Sequence, residues 1–389
     1  MALHTRVIDD ARELERWSGA WSELLARSAR DEPARSPLWA GAWWRAFGAD
    51  EGRKLRVALF FEGGALVGVA PLLRRRKWHF GAIPFERLEL LGTGEPEADE
   101  VCSDHLGLVA ERGQETAVAR AFGAALEHGA FGRWDELVMP ALDADEPALH
   151  ELERGCAGAA ISVERTITGA CPYVALPASF DEYLASLRSE RRYLVKRSLR
   201  DFERWAGRDG EFHRVREQSE LETGRRILEA LHRERWLAAG RSGVFASPRF
   251  RAFHDELMPA LFDRQALELS WLSVRGRPIA AAYHFVWAGK VQFYQSGRTL
   301  DVPKGIRPGI VLHAHAIRRA IEAGHREYDF LAGTSQYKLE LATSSRSVAR
   351  LRAVHSGLKE GARALAARGL DGIKRLSLSG FRPRRRSAT

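Results

Sequence analysis

The sequence predicts an α/β protein of two tandem halves, each a mixed central sheet flanked by helices, joined by a long basic amphipathic helix. Three observations predict it. Short apolar runs bounded by turn residues alternate with segments of helical apolar spacing. Their order, β-α-α-β-β-β-α-β-α-β, occurs twice. Between the copies, Leu184, Leu187, Leu194, Val195, Leu199, Phe202 and Trp205 recur at helical spacing, with basic groups in the remaining positions. A length of 389 residues with 45% hydrophobic residues and eleven Trp suits two packed cores and excludes a disordered or low-complexity chain.

In the first copy, residues 4–8 read as a strand, a helix begins near Ala11, and the aromatics after Pro37 suit a second helix. Apolar runs at 55–61 and 65–73 flank Glu62-Gly63-Gly64 and predict a hairpin. A strand at 88–91, a helix at 116–127, a strand at 134–139, a helix at 146–153 and closing strands near 161–164 and 173–176 complete the copy. One helix is expected over 183–205. The second copy has a strand at 213–215, helices at 221–236 and 249–261, and strands at 267–274, 278–287 and 291–296. The turn at 303–309 leads into a helix with the stripe Ile310, Ala314, Ile317 and Ile321, stopped by Gly324. A strand at 327–331, the turn Ala332-Gly333-Thr334-Ser335, a short helix through Tyr337 and Leu341 and a strand at 348–354 close it. The borders expected are 1–172, 173–210 for the linking strand and basic helix, 211–356, and a basic tail at 357–389.

The net charge of +9, from 60 Lys and Arg against 51 Asp and Glu, is local. Residues 187–208 carry a net +5 and residues 372–389 a net +6, so the remainder sums to −2. That distribution argues against a general nucleic-acid-binding surface. No run approaches the ~20 apolar residues of a membrane span, and acids stand where a signal peptide has its apolar core, so a cytoplasmic protein is expected. In the tail, Leu358, Leu365, Leu370, Ile373 and Leu376 run near helical spacing among Arg363, Arg368, Lys374 and Arg375. It reads as a solubilising tail or as a peripheral membrane contact. Three scattered cysteines imply neither a disulfide framework nor zinc, and no metal is expected. Motifs of serine hydrolases, zinc proteases and P-loop NTPases are missing.

Two segments suggest chemistry. The turn Pro303-Lys304-Gly305-Ile306-Arg307-Pro308-Gly309 feeds a helix N-terminus, where backbone N–H groups and the helix dipole suit a pyrophosphate, with Lys304 and Arg307 adding full charges. It also reads as an ordinary strand-to-helix connection. Downstream, the turn through Thr334 and Ser335 aims a helix carrying Tyr337 and Lys338 across the sheet. A phenol there can protonate a departing thiolate, and an ammonium can stabilise an oxyanion or bind a carboxylate. Alternatively, Tyr337 is half-buried core and Lys338 pairs with an acid such as Asp329. Asp104 and His105 form the one Asp-His pair of the first half, a candidate carboxylate and base or a surface loop pair. His313 and His315, two apart on one helix, point away from each other and cannot share a metal.

Residues 212–355 resemble the acetyltransferase-like domain of the CelD/BioF-like branch of the GNAT (N-acetyltransferase) superfamily. The resemblance lies in Gly276-Arg-Pro-Ile-Ala-Ala-Ala-Tyr283, Phe293-Tyr294-Gln295-Ser296-Gly297, Arg307-Pro308-Gly309-Ile-Val-Leu312, and Tyr328-Asp329-Phe330-Leu331-Ala332-Gly333 with Tyr337-Lys338. The first half, with Val67-Gly-Val-Ala-Pro-Leu72 and Ser103-Asp104-His105-Leu106, looks like a degenerate GNAT-like partner, and the tandem is similar to the FemABX aminoacyltransferases. The resemblance implies acyl transfer to an amine, from acyl-CoA such as acetyl-CoA or from aminoacyl-tRNA, with a sugar-linked acceptor in envelope or exopolysaccharide metabolism suggested by the CelD-like branch. It places the general acid at Tyr337. The turn departs from the family's pyrophosphate pattern, because Gly305 and Gly309 are too far apart. On this reading backbone amides of Phe293, Tyr294, Gln295 and Ser296 hold the acyl donor, and Lys304, Gly305, Arg307 and Gly309 face its phosphates. Asp104 with His105, or Asp329, handles the amine. A GNAT-like binding module without catalysis is the non-enzymatic alternative.

Overall fold

The computed structural model describes residues 3–379 apart from 51, 147, 158 and 159. The first half runs β1 (His4–Ile8), α1 (Ala11–Ala26), α2 (Pro37–Phe47), β2 (Lys54–Leu55), β3 (Val57–Glu62), β4 (Ala65–Ala70), β5 (Leu72–His79), β6 (Ile83–Leu90), β7 (Val109–Ala110), α3 (Glu115–Glu127), β8 (Glu136–Asp143), α4 (Ala148–Cys156) and β9 (Ile161–Ala175). Helices α5 (Phe180–Ser186) and α6 (Ser189–Ala206) lead to the second half. There follow β10 (Gly210–Arg214), α7 (Gln218–Ala238), α8 (Pro248–Asp263), β11 (Leu267–Val274), β12 (Arg277–Trp287), β13 (Lys290–Arg298), α9 (Pro308–Glu322), β14 (Glu327–Asp329), α10 (Gln336–Leu341) and β15 (Ser344–His355), then α11 (Leu358–Ser379).

Equivalent helices of the halves start alike. Ser36 caps α2 by accepting from the Trp39 amide at 3.1 Å, and Ser247 caps α8 by accepting from the Phe250 amide at 3.0 Å. Each is followed by Pro at the first helical position, where the missing N–H costs nothing. The two helices pack together, with Trp39 edge-on to Phe253 at 5.1 Å.

An eleven-stranded sheet runs through both halves in the order β10-β11-β12-β13-β14-β9-β15-β8-β6-β5-β2, beside a four-stranded sheet β1-β3-β4-β7. The closing strands are exchanged. β9, from the first half, lies between β14 and β15, while β15, from the second, lies between β9 and β8. One core cluster spans the first half and the α7–α8 side of the second; the other lies under α5, α6 and α9.

Four details differ from the sequence reading. The run 65–73 breaks at Pro71, where β4 leaves the small sheet and β5 enters the large one. β5 itself was not expected, because four consecutive basic residues, Arg74 to Lys77, mask the alternation of its burial. The segments near 161 and 173 are one strand, since the polar stretch between them still pairs along β15. The helix expected at 183–205 divides at Leu187 and Arg188, both extended, as Leu187 turns into the core. Of the basic tail residues, Lys374, Arg375, Arg382 and Arg384 to Arg386 have side chains outside the described part.

Candidate active site

β13 and β14 pair in parallel only from Lys290 to Gln292, so one edge of β13 is unpaired beyond that point. The same strand bulges at Tyr294, because its register to β12 slips between the pairs Tyr283 with Gln295 and His284 with Phe293. A cleft of about 490 Å³ opens beside this edge, closed by the N-terminus of α9, by α10 and by the end of α7. Arg235, Arg298 and Arg307 line it, with Ser296, Gly309, His313 and Tyr337. Among the described residues none of the three arginines has an acid partner. Burial and the charge of Arg235 hold the Arg298 guanidinium below its usual pKa. Glu340 also lines the cleft without an ion pair to any of the three arginines, and three like charges at a helix N-terminus make a site for an anion.

Tyr337 is half-buried, stacks on His313 at 5.3 Å and meets Phe293 edge-on at 6.3 Å. Burial raises its pKa, with a Ser335 hydrogen bond opposing, so the phenol stays protonated near neutrality. Behind it, the Tyr328 hydroxyl links His313 Nδ1 at 2.9 Å to His284 Nε2 at 2.8 Å. Lys338 is buried and donates to the carbonyls of Ala332 at 2.7 Å and Leu331 at 3.4 Å. Burial lowers its pKa, and Asp104, Cys171 and Asp329 push back only in part.

The first half reaches this place through residues 101–108. His105 Nε2 lies 2.9 Å from Asp329 Oδ2, and Asp104 Oδ2 accepts the Ala332 amide at 2.8 Å. Cys102, His105 and Leu331 all sit at φ near +50 to +60°, a conformation bulky residues adopt at a cost. Burial works against a charged His105, but Asp329, a Cys171 hydrogen bond and Glu32 more than offset it, raising its pKa well above 6.5. Burial likewise opposes a charged Asp329, and His105, Arg346 and the Leu331 amide reverse that, holding it below the usual range. The pair is therefore an imidazolium with a carboxylate. Asp104 differs: burial raises its pKa against the pull of His105, the Ala332 amide and Lys338.

Of the residues expected at the site, Ser296, Arg307, Gly309 and Tyr337 share the cleft. Asp104, His105, Asp329 and Lys338 form the adjoining cluster, and Phe293 stands between the groups, 6.0 Å from the Lys338 ammonium. The Tyr294 side chain points to the opposite side, where its hydroxyl donates to the Val101 carbonyl at 2.5 Å. Gln295 turns to His232 on α7. Lys304 is exposed outside the cleft, and Gly305 lines a second groove over α6. Lys338 caps carbonyls rather than pairing with Asp329, because Arg346 at 3.2 Å and His105 occupy that carboxylate. Arg298, Arg235 and Glu32 escaped the sequence reading, and His313 was weighed there only as a metal ligand. Arg298 follows Ser296 by two on one strand, and His313 follows Gly309 by one helical turn, so periodicity pointed to both. Arg235 and Glu32 arrive through tertiary packing and left no local signal.

Residues 189–339 match the acetyltransferase (GNAT) domain family. The matched segment contains the cleft residues from Arg235 to Tyr337, and Lys338 of the adjoining cluster. Among solved structures, FemX superposes with a TM-score of 0.58 at 12% identity, over 88% of this chain and 96% of that one. The C-terminal domain of a putative lysylphosphatidylglycerol synthetase from Agrobacterium fabrum superposes at 0.50 and 14%, over 92% and 95%. The L-PGS structure from Bacillus licheniformis does so at 0.50 and 14%, over 92% and 96%. The fold is thus the one these structures share, with the GNAT match falling in its second half. No curated protein matches the sequence.

Proposed function

We propose that the protein is an N-acyltransferase that moves an acyl group from acyl-CoA, acetyl-CoA included, to an amine. The observation that carries this reading is the cleft beside the unpaired edge of β13, where Arg235, Arg298, Arg307 and the α9 N-terminus converge without acid partners. A pyrophosphate fits that charge, and the free amides beside the Tyr294 bulge suit the thioester end. The amine gives up a proton to Asp104, whose raised pKa makes it a better base than an ordinary carboxylate. Nitrogen attacks the carbonyl carbon, the Lys338 ammonium faces the developing oxyanion, the C–S bond breaks, and Tyr337 protonates the thiolate. His105 is held charged by Asp329 and acts as a brace for Asp104, not as the base. A sugar-linked acceptor is the class the CelD-like resemblance suggests. Calorimetric titration with acetyl-CoA and longer acyl-CoAs tests the donor: binding is expected, weakened about tenfold or more in Arg298→Ala. No heat with any acyl-CoA overturns the reading.

A second reading takes aminoacyl-tRNA as donor. The cleft continues past Gly305 and Arg307 into a groove on α6 lined by Arg191, Tyr193 and Arg197, next to exposed Lys196 and Arg200. The superposed FemX and L-PGS folds are in keeping with it. Activity abolished by ribonuclease and not restored by acyl-CoA favours this donor.

A further inference from the structure

The first half has a pocket of its own at the place that matches the cleft. In element order α1, α3 and α4 are the counterparts of α7, α9 and α10. The cleft lies between the end of α7, the N-terminus of α9 and α10; a pocket of about 230 Å³ lies between the residues just past α1, the N-terminus of α3 and α4. Its chemistry is the reverse. Where the cleft gathers arginines, Val118, Ala119, Leu142, Leu149 and Leu152 wall the pocket, each 5% exposed or less. Ala29 and Thr116, also in the lining, are exposed, so the pocket opens between the end of α1 and the first turn of α3.

A phosphate does not belong there. Glu115 stands in the first turn of α3 and accepts the Gly113 amide at 2.8 Å, and a carboxylate at a helix N-terminus takes the place of an anionic ligand. The other charges of the lining are paired: Arg30 with Asp143 at 3.0 Å, and buried Arg35 with both oxygens of Glu146 at 2.8 and 3.2 Å. The space exceeds the ~150 Å³ of an apolar cavity that takes up benzene, and apolar walls with paired charges suit an aliphatic chain. Arg35 also ties the lining to the candidate site. Its Nε donates to the His105 carbonyl at 2.8 Å, Nη2 to that of Leu106 at 3.1 Å and Nη1 to that of Leu108 at 3.0 Å. Gly107 packs so closely on the guanidinium that a Cβ there would lie 2.8 Å from it. The same segment carries His105 to Asp329 and Asp104 to the Ala332 amide.

We infer that this pocket is a second ligand site, which takes the aliphatic chain of a small neutral molecule, and that its occupancy steadies residues 105–108 through Arg35 and Leu108. A ligand that binds only the folded pocket stabilises the segments lining it against local opening. The binding does not rest on the acyltransferase reading; only its consequence for Asp104 as the base does.

Calorimetric titration of the full chain with 1-butanol, 1-hexanol and 1-octanol tests the site. One equivalent of 1-octanol is expected to bind, with affinity rising about fourfold for each CH₂ added from butanol upward. In hydrogen exchange, 1-octanol in excess over its Kd slows the amides of 105–110 and of 118–121 in α3 about fivefold and leaves those of 310–313 in α9 unchanged. Ala110→Phe and Leu149→Trp each fill the pocket and lower the affinity for 1-octanol about tenfold or more, with the circular dichroism of the wild type. Absence of 1-octanol binding overturns the inference, the pocket then being a packing void. So does a folded filling variant that binds within about twofold of wild type, or protection missing at 105–110 and found at 310–313, which would put the alcohol in the cleft. Acetyl-CoA that fails to bind where 1-octanol binds would strike the donor assignment and leave this site standing.

Discussion

Lys338 is the residue whose environment says most about its work. It is buried, holds two carbonyls, and faces Asp104 and Asp329 at a distance that moderates the burial penalty without removing it. A surface lysine keeps its ordinary pKa; this one is pushed below 10.5. Where the ammonium steadies the oxyanion, the rate falls as pH rises through that lowered pKa, since deprotonation removes the charge. Lys338→Ala is expected to cost about 100-fold in kcat. Lys338→Arg, charged throughout, retains part of the rate and loses the alkaline limb, and a limb unchanged in that variant would assign it to another group. Tyr337→Phe tests the acid in the same assay, with a loss of about 100-fold expected. A rate within about twofold of wild type removes Tyr337 from that role.

At the level of elements, Glu136 at the start of β8 ties together strands from both halves. Its carboxylate is fully buried and takes His79 from β5, Arg87 from β6 and Arg352 from β15, all within 2.8–3.0 Å. Burial raises its pKa, but His79 and Arg87 more than reverse the effect and bring it to about 2. A depressed carboxylate stabilises the fold above its unfolded value of 4.5, and the contribution is lost as pH falls from there toward 2. Glu136→Gln should therefore cost about 3 kcal/mol at neutral pH and flatten the acid limb of a stability profile measured by denaturant unfolding. Elements of this kind divide what the sequence discloses from what it does not. The order of strands and helices in the second half was legible, because its apolar runs are clean and its turns carry Gly. β5 was hidden by its own arginines, and the long β9 by a polar middle that only its partner β15 stabilises. The candidate site divides the same way. Ser296, Arg307 and Tyr337 sit on elements that local pattern defines, while Arg235 enters from a distant helix. The link between His105 and Asp329 spans 224 residues of chain and no periodicity announces it.

At the level of the molecule, the tandem is held by exchange, not by a simple interface. β9 belongs to the first half by sequence, yet both its neighbours, β14 and β15, belong to the second; β15 finds both its neighbours, β9 and β8, in the first. A chain of residues 176–389 alone leaves β15 without any partner strand, and a chain of residues 1–175 does the same to β9. Each exposes a long unpaired edge, the usual route to aggregation. The cluster adjoining the cleft depends on the same exchange, because β14 pairs with β9 along its whole length, and Asp104 and His105 arrive from the first half to meet Ala332 and Asp329. The expected behaviour is one cooperative guanidinium transition, coincident by circular dichroism and by hydrogen exchange in both halves. Neither fragment alone should be soluble and folded, while the two co-expressed should assemble into a complex that retains acyl-CoA binding. Two separate transitions, or a soluble second half that binds acyl-CoA by itself, would show that the halves are autonomous and that the exchanged strands contribute little to the cleft.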